Sequence, residues 1–202
     1  FEYKEKSLIE DGTDGGPLMF GNRLGASGTG AGDQETERYV YDAHGNMIRM
    51  PHLGGAHPGP NMHWDCRDRL IRTDLGGGGK AFYVYDGAGN RVRKVWEKSE
   101  TLIEERLYFA GFEIFRRRTA ADGIVLERET LHIMADKLRI AMVETRTVDK
   151  TSSDAAPEQL IRYQFGNHLG SACLELDHQA RIITYEEYTP FGSTPYQAVR
   201  SD

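Results

Sequence analysis

Cysteine is nearly absent: Cys66 and Cys173 are the only two in 202 residues. They form no CxxC pair, so neither a disulfide framework nor a zinc knuckle is indicated. His63 and Cys66 share an HxxC spacing, but no second ligand pair follows at metal-site spacing. That leaves a turn histidine and a half-buried cysteine, with no metal or cofactor expected. Long apolar runs are missing as well. No stretch approaches the roughly 18 residues a membrane-spanning helix requires. A basic surplus is missing too. The net charge of −6 and pI near 5.7 leave no counterion-release drive toward nucleic acid. The densest basic spot, Arg116 to Arg118, follows a strand-like segment and reads as a solvated strand end. No long segment keeps an i, i+3, i+4 apolar stripe with caps, which argues against a helical fold. The chain shows no signal peptide and begins at Phe1 without an initiator Met; it is expected to be a piece cut from a longer polypeptide.

What the chain has is tyrosine, glycine and alternation. Ten Tyr and 23 Gly against seven Pro suggest many short strands joined by tight turns. Residues 1–36 open on a brief polar–apolar alternation and become Gly-rich; they read as a loop or flexible segment with room for a first strand. From Glu37 onward, strands are expected near 37–42, 47–50, 62–65, 69–73, 81–86, 91–97, 102–109, 112–118, 124–134, 138–147, 159–165, 171–176 and 181–188. The turn spacing suits consecutive antiparallel β-hairpins, an all-β chain. The polar stretch 147–159 reads as an exposed loop or seam.

Self-similarity is the strongest signal. Tyr39-Val-Tyr-Asp-Ala-His-Gly-Asn-Met-Ile-Arg49 recurs as Tyr83-Val-Tyr-Asp-Gly-Ala-Gly-Asn-Arg-Val-Arg93, with a degenerate copy, Met62-His-Trp-Asp-Cys-Arg-Asp-Arg-Leu-Ile-Arg72, between them. In YxYD the aromatics are two apart and project from one face of a strand. The Asp (42, 65 or 86) ends the strand, and its carboxylate accepts a backbone N–H two residues on. Gly45 and Gly89 can take the positive φ that a bulged turn needs, and Asn46 and Asn90 tolerate the same region. Each unit is one hairpin. A lone hairpin is marginal in water, so the units must stack on neighbours.

Catalytic alternatives fare poorly. Glu186–Glu187 and Glu104–Glu105 are adjacent carboxylates, and neighbours on a strand point to opposite faces, not across a cleft. His168, in a Gly-flanked turn, could serve as an acid or base, but only Ser171 lies near it in sequence. Its simpler role is to lock the turn. The run Gly76 to Gly79 lacks the Lys-Ser/Thr and helix of a phosphate loop and reads as a hairpin linker. No DxDxDG calcium loop is present.

These repeats resemble the YD repeats of Rhs proteins, of the C component of insecticidal toxin complexes and of teneurin ectodomains. The later segments Arg162-Tyr-Gln-Phe-Gly-Asn-His-Leu-Gly-Ser-Ala172, Leu174-Glu-Leu-Asp177 and Tyr185-Glu-Glu-Tyr-Thr-Pro-Phe-Gly-Ser193 resemble the Rhs-associated core. So do Glu127-Arg-Glu-Thr-Leu-His-Ile-Met134 and Ile140-Ala-Met-Val-Glu-Thr-Arg146. The likeness covers about residues 37–199 and divides the chain into YD-repeat hairpins at 37–118 and a core-like β segment at 119–202. It implies a curved sheet that forms part of a hollow shell, or cocoon, enclosing a C-terminal toxin domain. Expected partners are the remainder of the same polypeptide, the toxin cargo and a B-type toxin-complex subunit, in a secreted or cell-surface bacterial protein. The family's aspartyl self-cleavage motif, of DPxG type, is not among these residues, so no enzymatic role is expected. The turn role carries over to Asp42, Gly45, Asn46, Asp65, Asp86, Gly89 and Asn90, and to the core turn Gly166, Asn167, His168 and Gly170. A second reading is a cell-surface or glycan-binding module, with Trp64 and Trp96 as stacking platforms.

Overall fold

A computed structural model describes residues 2–3, 5–28, 37–53, 59–152, 156, 158–167, 169–189 and 194–199. His168 lies outside the described residues. The chain divides into two compact units, Phe1–Glu100 and Thr101–Asp202.

The first unit is a series of short antiparallel pairs. Strand β1 (Lys6–Asp11) pairs β2 (Leu18–Phe20), β3 (Ala26–Ser27) pairs β4 (Glu37–Arg38), and β5 (Val40–Tyr41) pairs β6 (Met47–Arg49). A meander follows: β7 (Met62–Trp64), β8 (Leu70–Asp74), β9 (Lys80–Tyr85) and β10 (Arg91–Ser99), each beside its predecessor. Three strands thus lie in the Gly-rich opening segment. Asp11 ends the first of them, its Oδ1 accepting from Thr13 N and Oγ1. Gly76–Gly78 is one 3₁₀ turn between β8 and β9, anchored by Asp74 Oδ1 on Gly76 N; it is the connector expected.

The second unit is a meander of longer strands: β11 (Leu102–Phe109), β12 (Phe112–Thr119), β13 (Gly123–Ala135), β14 (Leu138–Asp149), β15 (Glu158–Gly166), β16 (Ala172–Leu176), β17 (Ile182–Glu187) and β18 (Tyr196–Val199). The last of these was not read from the sequence, because Tyr-Gln-Ala-Val is short and polar in half its positions.

Directly paired residues share a face of a sheet, and in this unit the two faces differ, although the charged row Glu105, Arg116 and Glu127 shares the face of the apolar rows. One carries the row Phe109, Phe112, Leu131, Val143, Ile161 across five strands, the row Ile133, Ala141, Tyr163, Leu176, and the row Phe165, Leu174, Tyr185, Ala198. The opposite face carries Arg106, Phe115, Arg128, Arg146 and Glu158 in one row and Gln164, Glu175 and Thr184 in another. Within this unit the sheet is one layer, and none of the unit's described residues covers the apolar side. Phe109, Leu131 and Phe165 are 55%, 48% and 52% exposed. The buried apolar residues among those described are Ala26, Tyr39, Ala81, Val125 and Ala141. That set is too small for the two-layer core around which an independent domain packs.

Candidate functional site

Each YD copy closes in the same geometry. Asp42 Oδ1 accepts from His44 N and Asn46 N at 2.9 and 2.8 Å, while Asp42 N donates to Asn46 O and Gly45 N to Asp42 O. Asp65 and Asp86 repeat the pattern two and four residues on, with Arg67 and Arg69, and with Ala88 and Asn90. The fourth residue of each turn has positive φ: Gly45 at 87°, Asp68 at 57° and Gly89 at 89°. The fifth reaches back to the second carboxylate oxygen, through Asn46 Nδ2, Arg69 Nε and Asn90 Nδ2. The carboxylate thus replaces the ladder hydrogen bonds that a bulged loop cannot make.

The second unit contains the same turn twice. Asn167 Oδ1 accepts from Leu169 N and Ser171 N, and Gly170 stands at φ 80°; Gly166 closes β15 just before it. Asp177 Oδ1 accepts from Gln179 N and Arg181 N, Ala180 stands at φ 60°, and Arg181 Nε donates to Oδ2 at 2.8 Å. The Asp177 turn was missed in the sequence because it has neither the paired aromatics nor the glycine. Its legible signal is an arginine four residues after the aspartate, as in Asp65 and Arg69.

The turns hold one another. Asp68, at the left-handed position of the second turn, lies 2.8 Å from His44 Nδ1 and accepts from Asn46 Nδ2 of the first turn. Arg69 of the second donates to Asp86 O of the third at 3.2 Å. The aromatic just before each aspartate ties its hairpin to the preceding one. Tyr41 Oη donates to Leu24 O, Trp64 Nε1 to Met47 O and Tyr85 Oη to Leu70 O, at 2.8 to 2.9 Å. Met47 and Leu70 are each the first residue after the previous turn. Arg23 and Arg69 stack over the rings of Tyr41 and Tyr85. In the second unit Tyr188 Oη lies 2.9 Å from Ala172 O, again the residue just after a turn.

These contacts set the charge states. Arg69 Nε–H, with the N–H groups of the same turn, pulls the Asp65 carboxyl down to about 2. The Asn90 amide does the same for Asp86 in direction. At Asp42 burial pushes upward, but the Asn46 side chain and the N–H groups of Asn46 and His44 outweigh it and leave the carboxyl below its ordinary value. Asp68 is lowered by Asn46 and His44, and His44 is correspondingly raised by Asp68.

The candidate chemistry of the remaining residues is taken up in structural contacts. Glu104 and Glu105 pair with Arg117 and Arg118 at 2.8 and 2.9 Å, and Arg116 pairs with Glu127 at 2.6 Å. The three arginines expected as a solvated strand end are therefore cross-strand ion pairs. Glu186 accepts from Tyr188 Oη and Thr194 Oγ1, whereas Glu187 accepts from Tyr185 Oη. Thus the two carboxylates engage separate partners. His63 Nε2 lies 2.7 Å from Arg72 Nη2, and burial, then the Arg72 charge, lowers its pKa. Trp96 donates Nε1–H to Gly78 O at 2.7 Å and carries Lys98 over its ring at 4.2 Å. Among the described residues no three His, Cys, Asp or Glu gather as a metal site, and no helix is long and apolar enough to cross a membrane.

Aspartate-closed hairpins laid side by side, each tied to the last by an aromatic, are the arrangement that the resemblance to YD repeats of Rhs type implies. Particular relatives agree. The chain is 29% identical over 152 residues to the toxin subunits YenC1 and YenC2 of Yersinia entomophaga, covering 71% of this chain and 15% of each relative. It superposes on a chain of the Photorhabdus luminescens Tc holotoxin pore carrying a TccC3 mutant, with TM-score 0.59, 21% identity, and coverage of 81% of this chain and 10% of that one. A TcdB2–TccC3 crystal structure gives 0.58 at the same identity and coverage. No family model matches. The resemblance to toxin-complex C components therefore holds in sequence and in backbone, and the chain spans about a seventh of the length of the curated relatives it matches.

Proposed function

We propose that this chain is a wall segment of an Rhs-type toxin-complex protein, and that the wall encloses a C-terminal toxin domain until delivery. The observation that carries the reading is the two-faced single layer of the second unit. An isolated sheet that leaves a continuous apolar side uncovered is an aggregation hazard. The same sheet is well suited to a closed shell, where the rest of the polypeptide and its cargo cover that side. The opposite side is laced with ion pairs, which resist water without needing a second layer.

The role of the segment is containment, not catalysis. Among the described residues, most of its arginines are held in cross-strand or turn ion pairs with carboxylates. The turn residues Asp42, Gly45, Asn46, Asp65, Asp86, Gly89, Asn90, Gly166, Asn167 and Gly170 serve the wall by setting hairpin after hairpin in register. The placement of the tryptophans also favours the wall over a glycan-binding module: Trp64 ties two hairpins together, and Trp96 is capped by Lys98. The natural partners are then the rest of the shell and a B-type subunit that closes it, in a protein exported by a bacterium.

The test uses the full-length polypeptide with its C-terminal domain and partner subunit. Leu131→Glu with Phe165→Glu places charge on the apolar side without touching a turn. Protease should cut the C-terminal domain rapidly in the variant and slowly in the wild type. Equal protection in both proteins would refute the wall.

A further inference from the structure

Nine arginines of the second unit are described, and eight of them pair with a carboxylate. Arg106 takes Glu113, Arg116 Glu127, Arg117 Glu104, Arg118 Glu105, Arg128 Glu144, Arg146 Asp149, Arg162 Glu175 and Arg181 Asp177. Arg139 is the exception. Its Nε donates to Gln164 Oε1 at 2.5 Å, and its Nη1 lies 3.2 Å from His132 Nδ1. Neither partner is an anion. They aim the guanidinium without neutralising it, so its charge is left for something else.

Arg139 lines a groove of about 570 Å³ formed where three hairpin ends meet on the charged side of the sheet, and Lys137 lines the same groove. Among the described residues Lys137 has no ion-pair or hydrogen-bond partner. The one carboxylate in the lining, Glu113, is already engaged by Arg106 at 2.6 Å and lies 3.2 Å from His132 Nε2. Met134 and Leu138 add apolar surface. The groove thus combines two uncompensated cations, an apolar wall and a concave shape. A planar guanidinium with free donors matches a carboxylate in bidentate fashion, and an ammonium nearby adds a point charge.

We infer that this groove is a carboxylate-binding site, with Arg139 as the primary contact, Lys137 as the second, and Gln164 and His132 as positioning residues. The ligand is a carboxylate on a short apolar stem, offered either by a free organic acid or by an aspartate or glutamate of a polypeptide. The inference is independent of the wall reading, since it rests only on the geometry within the second unit.

The experiment is an NMR titration of the full-length polypeptide carrying isotope-labelled arginine and histidine, following the Arg139 Nε–H and His132 ring signals. The probes are N-acetylglutamate N-methylamide, a short glutamate-containing peptide and inorganic phosphate. Saturable shifts with either carboxylate probe are expected, weakening as salt is added, and the tighter of the two identifies the source. Arg139→Gln should weaken binding by about tenfold or more, the equivalent of one charge-assisted hydrogen bond, and Lys137→Gln by less. Glu113→Gln should tighten it, because the only lining carboxylate is removed and Arg106 is released; this variant guards against loss of fold as the cause. Binding of phosphate but of neither carboxylate, or shifts that survive Arg139→Gln in a protein with wild-type circular dichroism, would overturn the site.

Discussion

The two units solve one problem in different ways. In the first, the strands of the repeats are two to nine residues long, so each pair has few ladder bonds, and order comes from the turns. Asp68 grips the turn before it, Arg69 grips the turn after it, and an aromatic ties each hairpin backward. In the second, β13 and β14 reach 13 and 12 residues, and order comes from the faces, through ion pairs that run from strand to strand. Short hairpins need their ends fastened, whereas long ones can be held along their length.

The sharpest way to break the first unit is at the most crowded of its described glycines. Gly79 has φ 82°, and a Cβ there would lie 1.9 Å from Glu97 O of the neighbouring strand. Gly79→Ala should cost about 3 kcal/mol or more from clash and strain together, seen as a large fall in the urea midpoint. Gly123→Ala in the second unit also meets positive φ, 66°, but open space; it should cost only about 1–2 kcal/mol from the left-handed backbone. A similar loss in both would mean that contact with the adjacent strand is unimportant.

Next come the turns themselves. At Gly89 nothing lies within 4 Å of an added Cβ, so Gly89→Val tests backbone strain alone, whereas at Gly45 the Cβ would touch Leu8 Cδ1 at 3.5 Å. Each substitution should cost about 1–2 kcal/mol, because β-branched residues disfavour positive φ, with Gly45→Val slightly the worse. Wild-type melting and yield in both would remove the turn from its central place. Tyr85→Phe should cost about 1 kcal/mol, the net worth of its bond to Leu70 O, with the circular dichroism of the sheet unchanged.

Much of this architecture could be read from the residues. Segment 102–109 became a strand with those bounds, and the degenerate copy at 62–72 was visible because Asp65 keeps its place while Trp64 replaces a tyrosine. What stayed hidden was long-range. Nothing in the local sequence says that Asp68 reaches 24 residues back to His44, or that Trp64 Nε1 donates to Met47 O of the preceding hairpin. Arg139 looks like any other strand arginine until cross-strand pairing shows that its neighbours are Gln164 and His132. The Asp177 turn was hidden for a local reason: alanine at the left-handed position erases the glycine that announces such a bend.

Acid should weaken both units, since Glu127, Asp149, Glu175 and Glu186 of the second also have lowered pKa values, with the largest effect at Asp65 of the first. The folded-state pKa of Asp65 is depressed to about 2, and those of Asp42, Asp68 and Asp86 are lowered as well. A depressed carboxylate stabilises the fold fully above its unfolded value of roughly 4, and the contribution is lost as pH falls through the folded value. Stability should therefore drop between about pH 4 and 2, and Asp65→Asn should flatten that part of the profile. His44 runs the other way. Its raised pKa gives a contribution that is complete below roughly 6.5 and lost as pH rises through the folded value, so His44→Gln should remove a small decline on the alkaline side. His44 and Asp68 are exposed and Asp42, Asp65 and Asp86 are partly so, and added salt should shrink both effects.

The smallest effect is also the most discriminating, because it asks what a left-handed residue is for. Ala180 and Asp68 occupy the same place in two turns, at φ 60° and 57°. Alanine there bears the left-handed penalty, and its turn is closed by Asp177 and Arg181. Ala180→Gly should relieve that strain and raise stability by up to about 1 kcal/mol. Asp68 tolerates the same backbone better and also holds His44 and Asn46. Asp68→Gly would relieve little and release two contacts, so the melting temperature should fall. Opposite signs for two chemically similar relaxations would show that the first unit uses its bends to join hairpins and the second uses them only to reverse the chain. A gain in both variants would dissolve that distinction, since it would make the Asp68 contacts incidental to a turn that geometry alone maintains.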